Sequence, residues 1–240
     1  MHSTRYVVTF VLILTASVAV LLAGFREVTK AGAERNEDIF NKRAILLAVE
    51  DNLGDGVKVG DLSDEEVLNI FDTKVKQVTL NAQGQPIEGG DVKAEDIDMA
   101  KEKKKPMSER KLPLFVYENG SEKFYIVSVR GKGLWDEIWG NIALKSDLNT
   151  IAGAAFDHKG ETPGLGAEIK DNPSFAEQFK GKKIYNETGK FVSVDVRKGG
   201  AVDPNHDVDA ISGATVTGNG VTEMLYDGIK AYEPYFKTLK

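Results

Sequence analysis

The 240-residue chain has no cysteine. That absence removes disulfides, thiolate nucleophiles, Cys-ligated zinc and iron–sulfur ligation together. Histidine is nearly as scarce, with only His2, His158 and His206, so no His-rich metal centre is expected. An excess of positive charge is missing too. Lys and Arg number 31 against 37 Asp and Glu, a formal charge of −6, which argues against nucleic-acid binding through a general basic surface. Hydrophobic residues at 41% exclude a largely disordered chain, and charged residues at 28% exclude a polytopic membrane protein. One principal folded domain with room for a proper core is expected. Any redox chemistry must rest on a cofactor that sulfur does not hold.

What is present begins with an apolar run. Residues 6–25, between Arg5 and Arg26, carry no charge and are rich in Val, Leu and Ala. As a helix they span roughly 30 Å, the thickness of a bilayer's hydrocarbon core. Tyr6 and Phe25 fall where aromatic rings settle at the interfaces. The competing reading is a cleaved signal peptide. The run exceeds the usual apolar stretch of about 7–15 residues, and no clean small-x-small site follows it. A lipoprotein signal needs the missing cysteine. An uncleaved single-pass anchor over residues 1–25 is therefore expected. Flanking charge is thin: Arg5 on one side, and Arg26, Lys30 and Arg35 mixed with Glu27, Glu34, Glu37 and Asp38 on the other. Counted alone, it keeps the soluble part in the cytoplasm.

Residues 26–50 contain no proline and space Ile39, Ala44, Leu46 and Leu47 as a helix does, so the span is expected to continue as a stalk helix. Asn52-Leu-Gly-Asp-Gly56 breaks it. Residues 51–112 read as a variable helical and loop region. Within it Ser63-Asp-Glu-Glu66 is a capping box opening a short helix, with Val67, Leu68, Ile70 and Phe71 on one face. Lys103–Lys105 reads as a solvated surface segment. From residue 113 the pattern turns to strands. Leu114–Glu118 and Lys123–Arg130 flank Asn119-Gly120, a hairpin signal, and Asn141–Lys145 with Thr150–Asp157 form a second pair. Asn172-Pro173 caps a helix drawn through Gly181, Phe191–Val196 alternates as a strand does, and Val221–Leu239 is amphipathic. Hairpins interspersed with helices give an α+β domain over 113–240, with an antiparallel or mixed sheet and flanking helices. There is no internal repeat.

Three glycine-rich segments stand out: Gly131-Lys-Gly-Leu-Trp135, Gly160-Glu-Thr-Pro-Gly-Leu-Gly166, and the run from Asp209 to Gly220. Turns account for the first. In the third, small residues accompany the hydroxyls of Ser212, Thr215 and Thr217 directly before a helix. Free N–H groups and the dipole at a helix start favour a phosphate there. The segment is neither a Walker A loop nor a dinucleotide fingerprint. On physics alone, a phosphate site and a plain capped helix stand level.

Ser212-Gly-Ala-Thr-Val-Thr217, with Asp209 three residues earlier, resembles the flavinylation motif of bacterial FMN-binding redox domains. Taken in order with the other two clusters, Lys198-Gly-Gly-Ala201, Asn219-Gly-Val221 and the anchor, the set is similar to the family of C subunits of the sodium-translocating NADH:quinone oxidoreductases. The resemblance is dense from about residue 128 to 222. It implies FMN joined by a phosphoester to Thr215, with Thr217 the nearest rival hydroxyl and Ser212, Gly213 and Ala214 flanking it. It further implies a separate magnesium-dependent flavin transferase that takes FMN from FAD and recognises Asp209. Leu134, Trp135, Gly164 and Leu165 are implied as apolar or close neighbours of the flavin, and Glu161 and Thr162 as polar ones. Read as residues only, Trp135 is equally an ordinary core aromatic and Glu161 a solvated loop residue.

By the same resemblance the chain is an electron relay in a sodium-pumping NADH:quinone reductase, with no catalytic residue or metal of its own and no turnover alone. Its partners are the other subunits of the complex. Its flavin domain lies on the extracytoplasmic side of the bacterial inner membrane, which overrides the thin charge count because long domains translocate largely regardless of flanking charge. The alternatives are the G-type flavin subunit of the related ferredoxin:NAD oxidoreductase, which shares the threonine motif, and a non-redox membrane-anchored binding or scaffold protein.

Overall fold

The computed structural model describes residues 3–87 and 92–239; His2 lies outside them. The chain divides into two units, Met1–Asn41 and Lys42–Lys240. The first is the greater part of helix α1 (Thr4–Leu47), which continues into the stretch read as a stalk and ends at Leu47. Its apolar window has a mean hydropathy of 2.6 and is wholly exposed, long and apolar enough to cross a membrane. Hydroxyls in such a helix need an acceptor, and the backbone supplies it: Thr15 Oγ1 donates to Val11 O and Thr29 Oγ1 to Phe25 O, each at 2.9 Å.

The second unit begins in the last residues of α1. Helix α2 (Asp64–Lys74) opens on the capping box read from the sequence. Ser63 Oγ accepts from the Glu66 N–H at 3.3 Å, and Glu66 Oε2 accepts from the Ser63 N–H at 2.8 Å. It leads directly into β1 (Val75–Leu80), a strand within the stretch read as helices and loops. The short α3 (Met99–Glu102) precedes the main sheet strands β2 (Leu112–Asn119), β3 (Glu122–Lys132), β4 (Glu137–Leu144) and β5 (Ile151–His158). The sheet is an antiparallel meander in the order β1-β2-β3-β4-β5. A tight hairpin forms at the Asn-Gly signal but one residue further along: Asn119 pairs with Glu122, and the turn residues are Gly120, at φ 62°, and Ser121.

Beyond the sheet come α4 (Glu168–Asp171), α5 (Pro173–Glu177), a parallel pair β6 (Asp195–Arg197) and β7 (Asp207–Asp209), then α6 (Thr215–Lys230) and α7 (Glu233–Leu239). Val127 and Val129 are buried on the α6 face, where a Cβ on Gly228 would stand 2.6 Å from Val129 Cγ1. Phe156, Phe175 and Phe179 close the same layer, with centroids 5.0–5.6 Å apart. The opposite face is covered near β2 by Phe71 of α2, 5.9 Å from Phe115. The domain is therefore α+β with helices on both faces of one sheet.

Several boundaries differ from expectation. Asn172 does cap α5, accepting from the Ser174 N–H at 3.1 Å, but the helix ends at Glu177 and tightens into shorter turns before Gly181, at φ 79°. Phe191–Val196 is not one strand: Phe191 forms a single antiparallel bridge with Tyr185, Ser193 adopts φ 64°, and a strand begins at Asp195. The closing helix is two. Pro234 has no N–H and its ring excludes a continuous helix past Lys230, so α6 stops there. At its other end α6 begins six residues before Val221, which places both motif threonines inside its first turn.

Candidate functional site at the head of helix α6

Three glycine-rich segments that are far apart in sequence meet at the head of α6. The chain leaves β7 at Asp209 and turns at Gly213, whose φ of 79° favours glycine and where a Cβ would stand 2.7 Å from Leu165 Cδ2. Ala214 occupies the cap position and offers no side-chain hydrogen bond, and no acidic residue stands in the first turn. The N–H groups of Thr215, Val216 and Thr217 are thus left for another acceptor, at the positive end of a sixteen-residue helix. The Gly218 N–H makes the first helical bond, 2.9 Å to Ala214 O.

The two threonines differ sharply. Thr215 is half-buried at the first helical position, beside exposed Ser212 and Gly213. Thr217 is 1% exposed, and its Oγ1 donates to Glu161 Oε2 at 2.6 Å. Glu161 is 4% exposed and takes a second donor, the Trp135 N–H at 2.9 Å on Oε1. Burial pushes this carboxyl up, but the Thr217 hydroxyl and the nearby backbone N–H groups of the 134–136 turn outweigh it and hold it below the usual carboxylate range. Its own N–H donates to His158 Nδ1 at 3.2 Å.

Glycine is what lets these groups come so close. A Cβ on Gly133 would stand 2.5 Å from Glu161 Oε1, and one on Gly166 would stand 2.6 Å from Thr217 Oγ1 and closer still to Glu161 Oε2. Gly131 likewise admits the Met224 side chain, 2.6 Å from its would-be Cβ. Turn formation, the expected role of the first cluster, leaves out this close approach of β3 and its turn to α6. No local signal in the sequence announces it, because the partners lie dozens of residues away.

Around the motif the surface is apolar and open. Trp135 is 67% exposed, Leu165 40%, and Leu134 and Val216 are exposed as well. Trp135 is thus no core aromatic. Its indole N–H donates to Thr162 Oγ1 at 3.1 Å, which fixes the ring's edge. Glu161 is no solvated loop residue; it and Thr217 are turned inward to each other, whereas Thr162 and Gly164 stay at the surface. Asp209 lies with Ser212, Gly164, Glu168 and Gln178 along an adjoining groove of about 420 Å³. Its Oδ1 accepts from the Ala201 N–H at 2.6 Å, and its own N–H donates to Gln178 Oε1 at 2.7 Å. The ties from Asp209 to Ala201 and Gln178, and the neighbouring grip of buried Asp207 on the N–H groups of Val202 and Asp203, have no signal in the sequence.

An uncapped helix start with a glycine turn suits a phosphate, and exposed apolar side chains beside it suit an aromatic ring system. Comparison with known proteins agrees with that chemistry. The FMN-binding domain family matches residues 133–230. The chain is 31% identical to the C subunit of the Na(+)-translocating NADH-quinone reductase of Pseudomonas aeruginosa, over 96% of this chain and 95% of that one. It is 32% identical to the protein of the same name from Vibrio campbellii, over 88% and 83% of the two chains. The crystal structure of the corresponding C subunit from Parabacteroides distasonis superposes with a TM-score of 0.73 at 37% identity, covering 86% of this chain and 96% of that chain. With likeness at that level along nearly the whole length, in sequence and in fold, the chain belongs to the family of C subunits of the Na(+)-translocating NADH-quinone reductases.

Proposed function

We propose that the chain is the electron-relay subunit of a sodium-pumping NADH:quinone reductase and carries FMN as a phosphoester on Thr215. The observation that carries the attachment site is the contrast between the two hydroxyls. Thr217 is enclosed and already donates its proton to Glu161, whereas Thr215 is accessible at the first helical position. Attachment joins Thr215 Oγ1 to the FMN phosphorus of FAD as the pyrophosphate bond breaks; AMP leaves and the hydroxyl proton is released to solvent or to the transferase. Tethered FMN supplies reversible electron uptake and release.

The chain's own residues do the rest. The first-turn N–H groups of α6 would hold the phosphate, and Leu134, Trp135 and Leu165 would offer the ring an apolar surface. Asp209 and the groove beside Ser212 are offered to the maturation transferase. In this reading residues 1–25 anchor the chain, 26–50 form the stalk, 51–112 flank the flavin domain and 113–240 hold the flavin. The domain faces the extracytoplasmic side of the inner membrane, and the anchor packs against helices of the partner subunits. The Thr215→Ala chain, co-produced with the transferase, is expected to run without covalent flavin fluorescence on a denaturing gel. Fluorescence retained by that variant overturns the assignment. Protease added to right-side-out vesicles is expected to digest the domain; protection there reverses the orientation.

A further inference from the structure

Glu161 and Thr217 are both implied neighbours of the flavin, yet both are almost fully buried. One carboxylate accepts from the Thr217 hydroxyl in the first turn of α6 and from the Trp135 N–H in the 134–136 turn. The space it occupies is kept open by Gly133 and Gly166, on two different segments. Thr217 lies two residues past Thr215 on the same helical turn, and Trp135 contributes both one of the donors and the exposed ring beside the motif. The Glu161 carboxylate thus ties the first turn of α6 to the Trp135 turn through two hydrogen bonds.

We infer that Glu161 and Thr217 are positioning residues for Thr215, locking the head of α6 against the 134–136 turn so that the acceptor hydroxyl and the apolar surface share one rigid frame. The inference rests on the reading that Thr215 takes the flavin. Both side chains lie beneath the surface that carries Thr215 and Trp135. Both act by presenting a preorganised acceptor, and a misplacement of about 1 Å in such a frame lowers a rate by up to about a hundredfold. A buried carboxylate that loses its hydroxyl donor also loses the reason to hold the turn where it is.

The test is the steady-state rate of flavin attachment to the full-length chain by its transferase, with FAD as co-substrate. Thr217→Val keeps the shape and removes the hydroxyl; Glu161→Asp keeps the charge and draws it back by one methylene. Each is expected to lower kcat by about ten- to a hundredfold while KM for the chain holds. Thr217→Ser, which keeps the donor, is expected to load at the parent rate. The double variant is expected to be no slower than the slower single one, because both break the same link. In the flavin-free chain, amide hydrogen exchange at 134–136 and 215–218 should quicken in Thr217→Val and stay at parent level in Thr217→Ser.

A parent-like kcat in Thr217→Val overturns the inference, and it does so even if Glu161→Asp fails to fold. A rise in KM at constant kcat overturns it as well, since that places the pair in the docking surface. So do effects that multiply in the double variant. Flavin retained by Thr215→Ala is a separate result that removes the attachment reading itself. Loss of flavin in Thr215→Ala alongside parent-like loading in Thr217→Val removes only the positioning role.

Discussion

In the middle of the sheet, Ile126 on β3 and Ile138 and Ile142 on β4 are fully buried among other aliphatic and aromatic side chains. At the head of α6, segments far apart along the chain are folded so that Gly133, Glu161, Gly166 and Thr217 meet within hydrogen-bond and van der Waals distance. The first region is stabilised by non-directional burial, which any side chain of the right volume satisfies. The second depends on direction: donors aimed at one carboxylate, and glycines where a single added carbon has no room. Damage to the sheet should therefore appear as lost stability with chemistry intact. Damage at the helix head should appear as altered chemistry with the fold largely intact.

The largest effect expected sits at the helix head. Thr215→Ala should abolish covalent flavin, while the melting curve shows stability within about 0.7 kcal/mol of the parent, since Ala214 and not Thr215 is the cap residue and Ala is the better helix former. A large drop in stability would erase the contrast. Next comes Ile142→Ala in the sheet. It should cost about 2–5 kcal/mol in denaturant unfolding, yet leave flavin per folded chain unchanged by absorbance ratio. Gly166→Ala should fall between the two kinds, costing about 1–3 kcal/mol through overpacking and slowing flavin attachment as well.

The smallest effect is that of acid. Glu161 is held below its ordinary value of 4.5 in the folded chain, so its charged form favours folding. That stabilisation is complete above the ordinary value and is lost as the pH falls through the folded one. The difference in Tm between the parent and Glu161→Gln should accordingly begin to narrow below about 4.5 and close only below the folded value, where both carry a neutral side chain. A difference that stays constant with pH contradicts the charged carboxylate as the pin.

Much of the scaffold is legible because its signals are local. The uncharged run 6–25, the capping box at Ser63, the Asn119-Gly120 hairpin signal and the Asn172 cap each declare themselves within a few residues, and each stands in the structure as a helix, a cap or a turn of the kind its chemistry predicts. The motif threonines are legible as a motif. Their placement in the first turn is not, because Thr-Val-Thr-Gly-Asn-Gly is a poor helix former whose helicity here accompanies buried Thr217, Gly218 and Gly220. Strand β1 escapes notice because only Val75, Thr79 and Leu80 of its six residues are buried, as befits an edge. The Glu161–Thr217 bond spans 56 positions, and no window along the chain contains both partners.

Peptide mapping by mass spectrometry of the full-length chain produced with its transferase tests the central claim most directly. The account predicts one FMN phosphoester per chain, with fragment ions placing it on Thr215 and leaving Thr217 unmodified. Attachment at Thr217, or a chain that carries no covalent flavin, would contradict it.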